Sequence, residues 1–333
     1  MADARLSVSF AGPLVTVQDT GRAGNMRYGV SASGPMDRLA FGAANAALGN
    51  PLEQTGIEVS LGGLQLKCQS GDVTLAISGG DFAVQYTGQK LSSWVVLTLR
   101  QGEQLAVRAG PSGSWAYIAF AGQLDAKSWL GSAATHSPSG FGGGAVTIGQ
   151  DLTVHNASVR DDRLGAILQP GFLNTGPIEA VVGPQDGMFN ELAVQKLFEG
   201  NFEVSGSYDR MGMRLNGPSL DLTGGLSIPS EPIVRGAIQV SGDGVPTVLL
   251  ADHQTTGGYP KIATVVGHET DRLSQFRTGD QVKFAAVTAE QAVKSARSYI
   301  EDRDRYFAQL AVPTGTLEER LMRENLISGW FAG

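Results

Sequence analysis

Apolar residues along this chain alternate, or run continuously for five or six positions, far more often than they recur at helical spacing. From residue 5 to about residue 160, alternation in Val73–Ile77 and unbroken apolar stretches at Trp94–Leu99 and Trp115–Phe120 are punctuated by glycine pairs at Gly62-Gly63 and Gly79-Gly80. The pattern predicts strands joined by tight turns. One helical segment interrupts it. In SGPMDRLAFGAANAALGN, Ser33 is a candidate cap, Pro35 falls near the first turn, the body is rich in alanine and Gly49 is the stop. A second strand-rich block covers roughly residues 165–287, with one inserted helix, FNELAVQKLFEGN, ending at Gly200. Two polar helices are predicted beyond it, opened by capping boxes at Thr288–Gln291 and Thr316–Glu319. Such a tail is expected to pack on its own domain or on a partner.

The two blocks share a phrase. RQGEQLAVRA (100–109) and RTGDQVKFAA (277–286) agree at Arg, Gly, the acid, Gln, an aliphatic residue and the final Ala. Upstream of each, an acid (Glu58, Glu231) precedes a strand containing Gly and Gln. This suggests two related β-domains in tandem, although a Gly-acid-x-aliphatic phrase is also a common turn-to-strand signal. The chain is therefore expected to be mainly β with a few helices. Its predicted domains are residues 1–162, residues 163–287 and a helical tail over 288–333.

Composition sharpens this reading in three places. With 45 glycines and only 17% charged residues in 333 positions, turns between short strands are favoured over long surface helices. A net charge of −7 leaves too little Lys/Arg for phosphate neutralisation, which excludes nucleic acid as the main partner. Cys68 is the only cysteine and sits in the alternating segment Leu64, Leu66, Cys68, the pattern of a buried strand thiol. No leader-like start and no window near ~18 apolar residues is visible, so the expectation is a soluble, cytoplasmic chain without membrane contact.

Several chemistries leave no trace. The sequence has no G-x-x-x-x-G-K-[ST] loop, no G-x-S-x-G, and no Met-Lys-Met biotin-attachment phrase. The histidines His136, His155, His253 and His268 lack metal-ligand spacing, so no metal is expected. Chemistry must rest on carboxylates, Arg/Lys, hydroxyls and backbone amides.

The densest candidate is LLADHQTTGGYPKIATV, residues 249–265. Asp252, Gln254, Thr255, Thr256, Tyr259 and Lys261 crowd together, and Gly257-Gly258 invites positive φ, so that successive N–H groups could face one anion or carbonyl oxygen. A polar hairpin loop with its diglycine chosen for the turn is the alternative. Asp209, Arg210 and Arg214 in SYDRMGMRLNGP, with Glu231, Arg235 and Asp243 in EPIVRGAIQVSGDG, supply arginines able to clamp a carboxylate, or to form surface ion pairs. TVQDTGRAG (16–24) and SGPMDR add Gln18, Asp19, Arg22, Asp37 and Arg38. In GPQDGMF, Gln185 and Asp186 either join a site or cap the following helix.

Taken together, VTVQDTGRAG, GVSASGPMDR, ANAALGNP, IEVSLGGLQL, VVGPQD, SYDRMGMRLNGP, RGAIQVSGDGVPTVLLADHQTTGGYPKIATV and FRTGDQVKF, in this order over residues 7–287, resemble the allophanate hydrolase subunit 2 family. The similarity is greatest to its stand-alone KipA-type members, the C components of 5-oxoprolinases. The resemblance implies two cyclophilin-like β-barrel domains and a companion KipI-like protein (the B component, allophanate hydrolase subunit 1), with a lactam-utilisation-type A component. It implies ATP-dependent opening of the lactam of 5-oxo-L-proline to L-glutamate, active only with the partner proteins, with ATP in the complex and no biotin on this chain. Alternatives are a carboxyltransferase component of a urea carboxylase or allophanate-type system, and a regulatory partner of a KipI-like kinase inhibitor. On this reading Asp252 is acid/base or orienter, Thr255, Thr256 and the Gly257-Gly258 amides are oxygen donors, and Lys261 and Arg235 are charge partners. Gln254, Tyr259, Asp209 and Arg210 bind substrate. His253 stands where the family often has Arg, which argues against an indispensable base there, and Ala133-Ala134 depart from a Ser/Arg-rich family stretch.

Overall fold

The computed structural model describes residues 2–223, 228–315, 318–319 and 322. The first block is built from two sheets. The seven-stranded one contains Ala4–Ala11, Leu64–Ser70, Asp81–Tyr86 and Gln104–Ser112, and the six-stranded one contains Gly56–Ser60, Val73–Ser78, Val95–Leu99 and Trp115–Phe120. Leu6, Val8, Leu66 and Val107 from the first sheet meet Ile57, Leu75, Ile77 and Ile118 from the second in one buried core. Cys68 is in that core, as its alternating context predicts. Gly165–Ala166 pairs with Val95–Val96, so the first block's sheet runs a few residues past the expected boundary at 162.

Val73–Ser78 departs from the alternation expected of it, because every residue in the strand is buried. Its second face, with Ala76 and Ser78, lies under α1 (Arg38–Leu48), where the Ser78 hydroxyl donates to the Ala40 carbonyl at 2.6 Å. A strand covered on both sides loses the polar half of its period. The α1 N-cap is Asp37, whose carboxylate accepts from the Ala40 N–H at 2.9 Å; Ser33, the residue expected there, lies four positions upstream in a left-handed conformation. Gly49 ends α1 with φ +72° as expected.

The second block is an eight-stranded sheet that closes on itself. Gln281–Val282 pairs at one edge with Phe202–Tyr208, and Phe284–Ala286 pairs at the other edge with Ile178–Val182. Only Lys283 separates those two strands, so the edges meet and the sheet is a nearly closed barrel, leaving no long row of unpaired backbone groups. Helix α2 (Glu191–Glu199) is capped by Asn190, not by Asp186, which instead begins a short 3-10 turn.

The repeated phrase folds alike in both blocks. Glu103 and Asp280 accept from the N–H groups of Arg100 and Arg277, each at 2.8 Å, and Gly102 and Gly279 both have φ near +90°. The upstream acids do not correspond: Glu58 is wholly buried mid-strand, whereas Glu231 is exposed on a two-residue strand.

A common core joins the blocks, with Met36, Phe41, Trp115 and Tyr117 from the first packed among Val204, Leu215, Ile238 and Ile262 of the second. Polar bonds reinforce the seam. Arg277 donates to the carbonyls of Gly110 and Gly113, and Arg38 pairs at 2.8 Å with Asp271 on α3 (Glu269–Ser274). Helix α4 (Ala289–Ala311) opens with the predicted Thr288/Gln291 capping box and returns to lay Tyr306 and Phe307 on α1. The second predicted tail helix, with its box at Thr316, lies outside the described residues. No helix among the described residues is long and apolar enough to cross a membrane.

Asp37 is a test of this seam. Burial, with Asp271 nearby, pushes its pKa up to about 7, against the Ala40 and Gln275 hydrogen bonds that pull it down. A carboxyl whose folded pKa exceeds its unfolded value gives stability that is complete at about pH 4 and lost as pH rises through 7. Urea denaturation of the full chain is expected to show stability falling between about pH 4 and 7, and Asp37→Asn, which retains an N-cap oxygen, should flatten that slope. A wild-type slope in the Asp37→Asn variant would locate the titration elsewhere.

Candidate functional site

The segment 249–265 lies at the seam and divides into an inner and an outer half. On the inner side Asp252 and Glu58, both wholly buried, grip Arg210 between them. The Arg210 guanidinium donates to Asp252 through Nε at 2.8 Å and Nη2 at 3.0 Å, to Glu58 through Nη1, and to the Gly34 carbonyl at 2.7 Å. Glu58 also accepts from the Met36 N–H at 2.7 Å and the Tyr117 hydroxyl at 3.0 Å, so one acid in an otherwise apolar strand ties α1's approach to the second block. Asp252 accepts a further bond from the Ser137 N–H at 3.0 Å.

Electrostatics follows from this wiring. Burial opposes the charge on Arg210, but Glu58 and Asp252 overcome it and raise its pKa. Burial also works to raise the Asp252 pKa, and there Arg210 prevails and the net movement is downward. For Glu58 burial wins, and its pKa is raised. Burial lowers the pKa of His253, whose Nδ1 lies 2.6 Å from the Gln254 carbonyl oxygen.

The outer half is assembled from strand register. Gln239 faces Lys261 across an antiparallel pair, which puts both side chains on one face about 5 Å apart at Cβ. Lys261 is 4% exposed in its side chain, and its ammonium has one carboxylate, Glu231, at 3.5 Å. Gln185 donates to the same Glu231 at 2.5 Å and accepts from the Lys261 N–H at 3.0 Å. The Gln239 Oε1 accepts from Gln254 at 3.3 Å, while its buried Nε2 has no partner. Beside this cluster is a cavity of about 370 Å³ lined by Asp209, Met211, Gln239, Gln254 and Tyr259, among others. It falls within the usual size range of small-molecule pockets.

The diglycine does not do what the sequence suggests. Neither Gly257 nor Gly258 has positive φ, and the segment is not a free hairpin tip: Thr256–Gly257 pairs with Glu231–Pro232 as a two-stranded ribbon. Close neighbours favour glycine here instead. A Cβ on Gly257 would lie 2.7 Å from Gln239 Nε2, and one on Gly258 would lie 3.0 Å from the Ile228 carbonyl oxygen.

A family model described as "Carboxyltransferase domain, subdomain A and B" matches residues 28–286. The chain belongs to this carboxyltransferase-domain family. It is 31% identical to the C subunit of the Haemophilus influenzae 5-oxoprolinase, over 85% of this chain and 91% of that protein. Against the Escherichia coli protein of the same description it is 30% identical over 92% of this chain and 97% of the relative. It is also 28% identical to the urea amidolyase of Saccharomyces cerevisiae, over 90% of this chain but 17% of that much longer protein. Among solved structures, TTHA0988 matches with a TM-score of 0.76 and 30% identity, over 85% of this chain, which spans about half of that one (55%). The urea amidolyase of K. lactis matches with a TM-score of 0.82 and 25% identity, over 92% of this chain and 20% of that one.

In this carboxyltransferase-domain chain the predicted site residues separate. Asp209, Gln254 and Tyr259 share the cavity, with Lys261 beside it. Thr255 accepts at its carbonyl from the Ile233 N–H at 3.1 Å, and Thr256 lies opposite Pro232 in the two-stranded ribbon. Asp252 and Arg210 face inward, and with both carboxylate oxygens engaged Asp252 is suited to orient its loop rather than to exchange protons with solvent. Arg235 points away from the cavity, donating to the Pro35 and Met36 carbonyls and Asp271, and burial drops its pKa to about 10. Arg214 forms the surface ion pair with Asp243 that was its alternative. Glu58, Tyr117 and Gln239 were not singled out as site residues from sequence; the signal for Glu58 was an acid inside the apolar strand IEVS.

Proposed function

We propose that this chain is the C component of a 5-oxoprolinase-type complex that opens the lactam of 5-oxoproline to glutamate with consumption of ATP. The supporting observation is the near-complete mutual coverage with proteins described as the C subunits of 5-oxoprolinases, whereas the urea amidolyase likeness is to one part of a far longer chain. The chemistry fits the outer cluster. Attack on a lactam carbonyl builds negative charge on its oxygen, and donors held in place beforehand lower that barrier. The free Nε2 of Gln239, the Gln254 amide and the underused Lys261 ammonium are such donors.

The nucleotide is a poor fit to this cavity. The cavity carries the carboxylate of Asp209, and its one arginine, Arg214, is already paired with Asp243. In this proposal ATP belongs to the companions, a KipI-like B component and a lactam-utilisation-type A component. Reconstitution with those companions is expected to give ATP-dependent glutamate release that stops when this chain is omitted. Full turnover by the companions alone would reject the assignment. The family's carboxyltransferase description favours a second reading, transfer of carboxyl to urea or a relative, with biotin supplied on another protein. Urea-dependent turnover abolished by avidin, with 5-oxoproline inert, would select it.

A further inference from the structure

Helix α4 packs on α1 and leaves a cleft beside that contact. Phe307 is seated on Gly42, so close that a Cβ there would lie 2.5 Å from the ring. Next to it is a cavity of about 440 Å³ with apolar walls from Leu39, Phe41 and Leu52 of the first block and from Ala296, Ile300 and Phe307 of α4. Its volume is in the range of small-molecule pockets, and it shares no lining residue with the outer cavity. Ile300, 45% exposed, and Leu52, 37% exposed, leave part of the apolar lining in water. Covering such surface is favourable for any occupant with an apolar body.

The remaining lining is polar and carries unused donors. Arg38, His268, Asp271, Tyr299 and Arg303 line the same cavity. Arg38 spends Nε on Asp271 at 2.8 Å and Nη2 on the Gly267 carbonyl and the Thr270 hydroxyl, which leaves Nη1 without a partner among the described residues. Arg303 spends Nε and Nη2 on Asp304, its chain neighbour, and again leaves Nη1. Asp304 is 58% exposed, and an ion pair so open to water holds its arginine weakly. Tyr299 lies flat on the His268 ring, 4.5 Å between centroids, and its hydroxyl has no hydrogen-bond partner among the described residues. Burial, with Asp271 and Asp37 nearby, raises the Tyr299 pKa, while Arg38 and Arg303 both pull it down; the phenol keeps its proton, and both guanidinium charges stand near enough to act on it.

We propose that this cleft binds a short apolar carboxylate, its oxygens on the free donors of Arg303, Arg38 and Tyr299 and its hydrocarbon against Leu39, Ile300 and Phe307. Charge selects an anion. Among the lining groups Arg38 and Arg303 face one carboxylate, Asp271, which Arg235 also shares, and burial keeps His268 neutral at pH 7 by lowering its pKa. Asp37, behind Arg38, is turned toward the Ala40 N–H and the Gln275 amide. A planar carboxylate also suits a guanidinium edge. The walls select the rest of the molecule: a small polar anion would leave Leu39, Leu52 and Ile300 uncovered, and a neutral hydrocarbon would leave the donors without an acceptor. Residues of the first block, α3 and α4 all line the cleft, so an occupant would tie both blocks together and stabilise the folded chain. The proposal is independent of the function assigned to the outer cavity.

The test is isothermal titration of the full chain with octanoate, 1-octanol, glutamate and inorganic phosphate, repeated on Ala296→Phe, which fills the cleft, and on Arg303→Gln, which removes a charge that takes no part in the seam. Octanoate is expected to bind at least tenfold more tightly than the other three, to lose at least tenfold in Arg303→Gln and to lose all measurable binding in Ala296→Phe. It should also raise the urea midpoint of the wild-type chain. Should Ala296→Phe fail to fold, Arg303→Gln still decides. Equal binding of octanoate and 1-octanol, preference for glutamate or phosphate, octanoate binding that Arg303→Gln leaves intact, a lowered urea midpoint, or no octanoate binding by the wild-type chain would each overturn the proposal.

Discussion

Arg210→Met is expected to be the most destabilising single substitution in the chain, lowering unfolding free energy by about 3–5 kcal/mol. The side chain is 1% exposed and, among the described residues, is the only cation bonded to both Glu58 and Asp252, each wholly buried. Removing it leaves two carboxyl groups without their charge partner in a setting too poor in water to hydrate them, and opens the Gly34 carbonyl as well. Methionine fills much of the volume, so the loss is electrostatic rather than a cavity. Urea denaturation of the purified chain measures it. Adding Glu58→Gln and Asp252→Asn to Arg210→Met should recover a good part of the loss, since neutral amides need no counter-charge. A single variant within ~1 kcal/mol of wild type would show that the triad is not what fastens the two blocks.

That triad also marks where sequence reading reached its limit. Strands, α1, α2, the α4 capping box and the Gly102/Gly279 turns were legible because each is fixed by local periodicity or by one residue's backbone preference. Arg210 stands 152 positions from Glu58 and 42 from Asp252, and nothing local says that a surface-like SYDRMG turns its arginine inward. The acid in IEVS was the available clue, since a charge in an apolar strand must find a partner.

The diglycine failed for a related reason. Glycine is chosen either for positive φ or for lack of a side chain, and one sequence does not separate the two. At Gly257-Gly258 the second cause operates, because Gln239 and the Ile228 carbonyl press against them from elements distant in the chain. The Asp37 cap was displaced from Ser33 similarly: Ser33 is caught in the seam loops beside Asp252, and the helix begins only after Pro35.

The outer cluster yields the largest expected effect on turnover. In the reconstituted complex, Lys261→Met is expected to lower kcat for 5-oxoproline by about 10²–10³, the range for losing one preorganised donor to a developing oxyanion. Nearly all of the lysine side chain is buried, yet among the described residues its ammonium has a single carboxylate contact at a long 3.5 Å, leaving donor capacity unused. A purely structural lysine would be expected to saturate that capacity. Stability should change little, because Met matches the stem in length and Glu231, 48% exposed in its side chain, can turn to water when its partner is lost. The comparison with Glu231→Gln separates two roles. If Glu231 only steadies Lys261, that variant should keep most of the rate, whereas a paired proton-handling role would make both variants equally slow. Full activity in Lys261→Met, beside a wild-type complex that turns over 5-oxoproline, would remove Lys261 from the chemistry and leave Gln239 and Gln254 as the donors to examine.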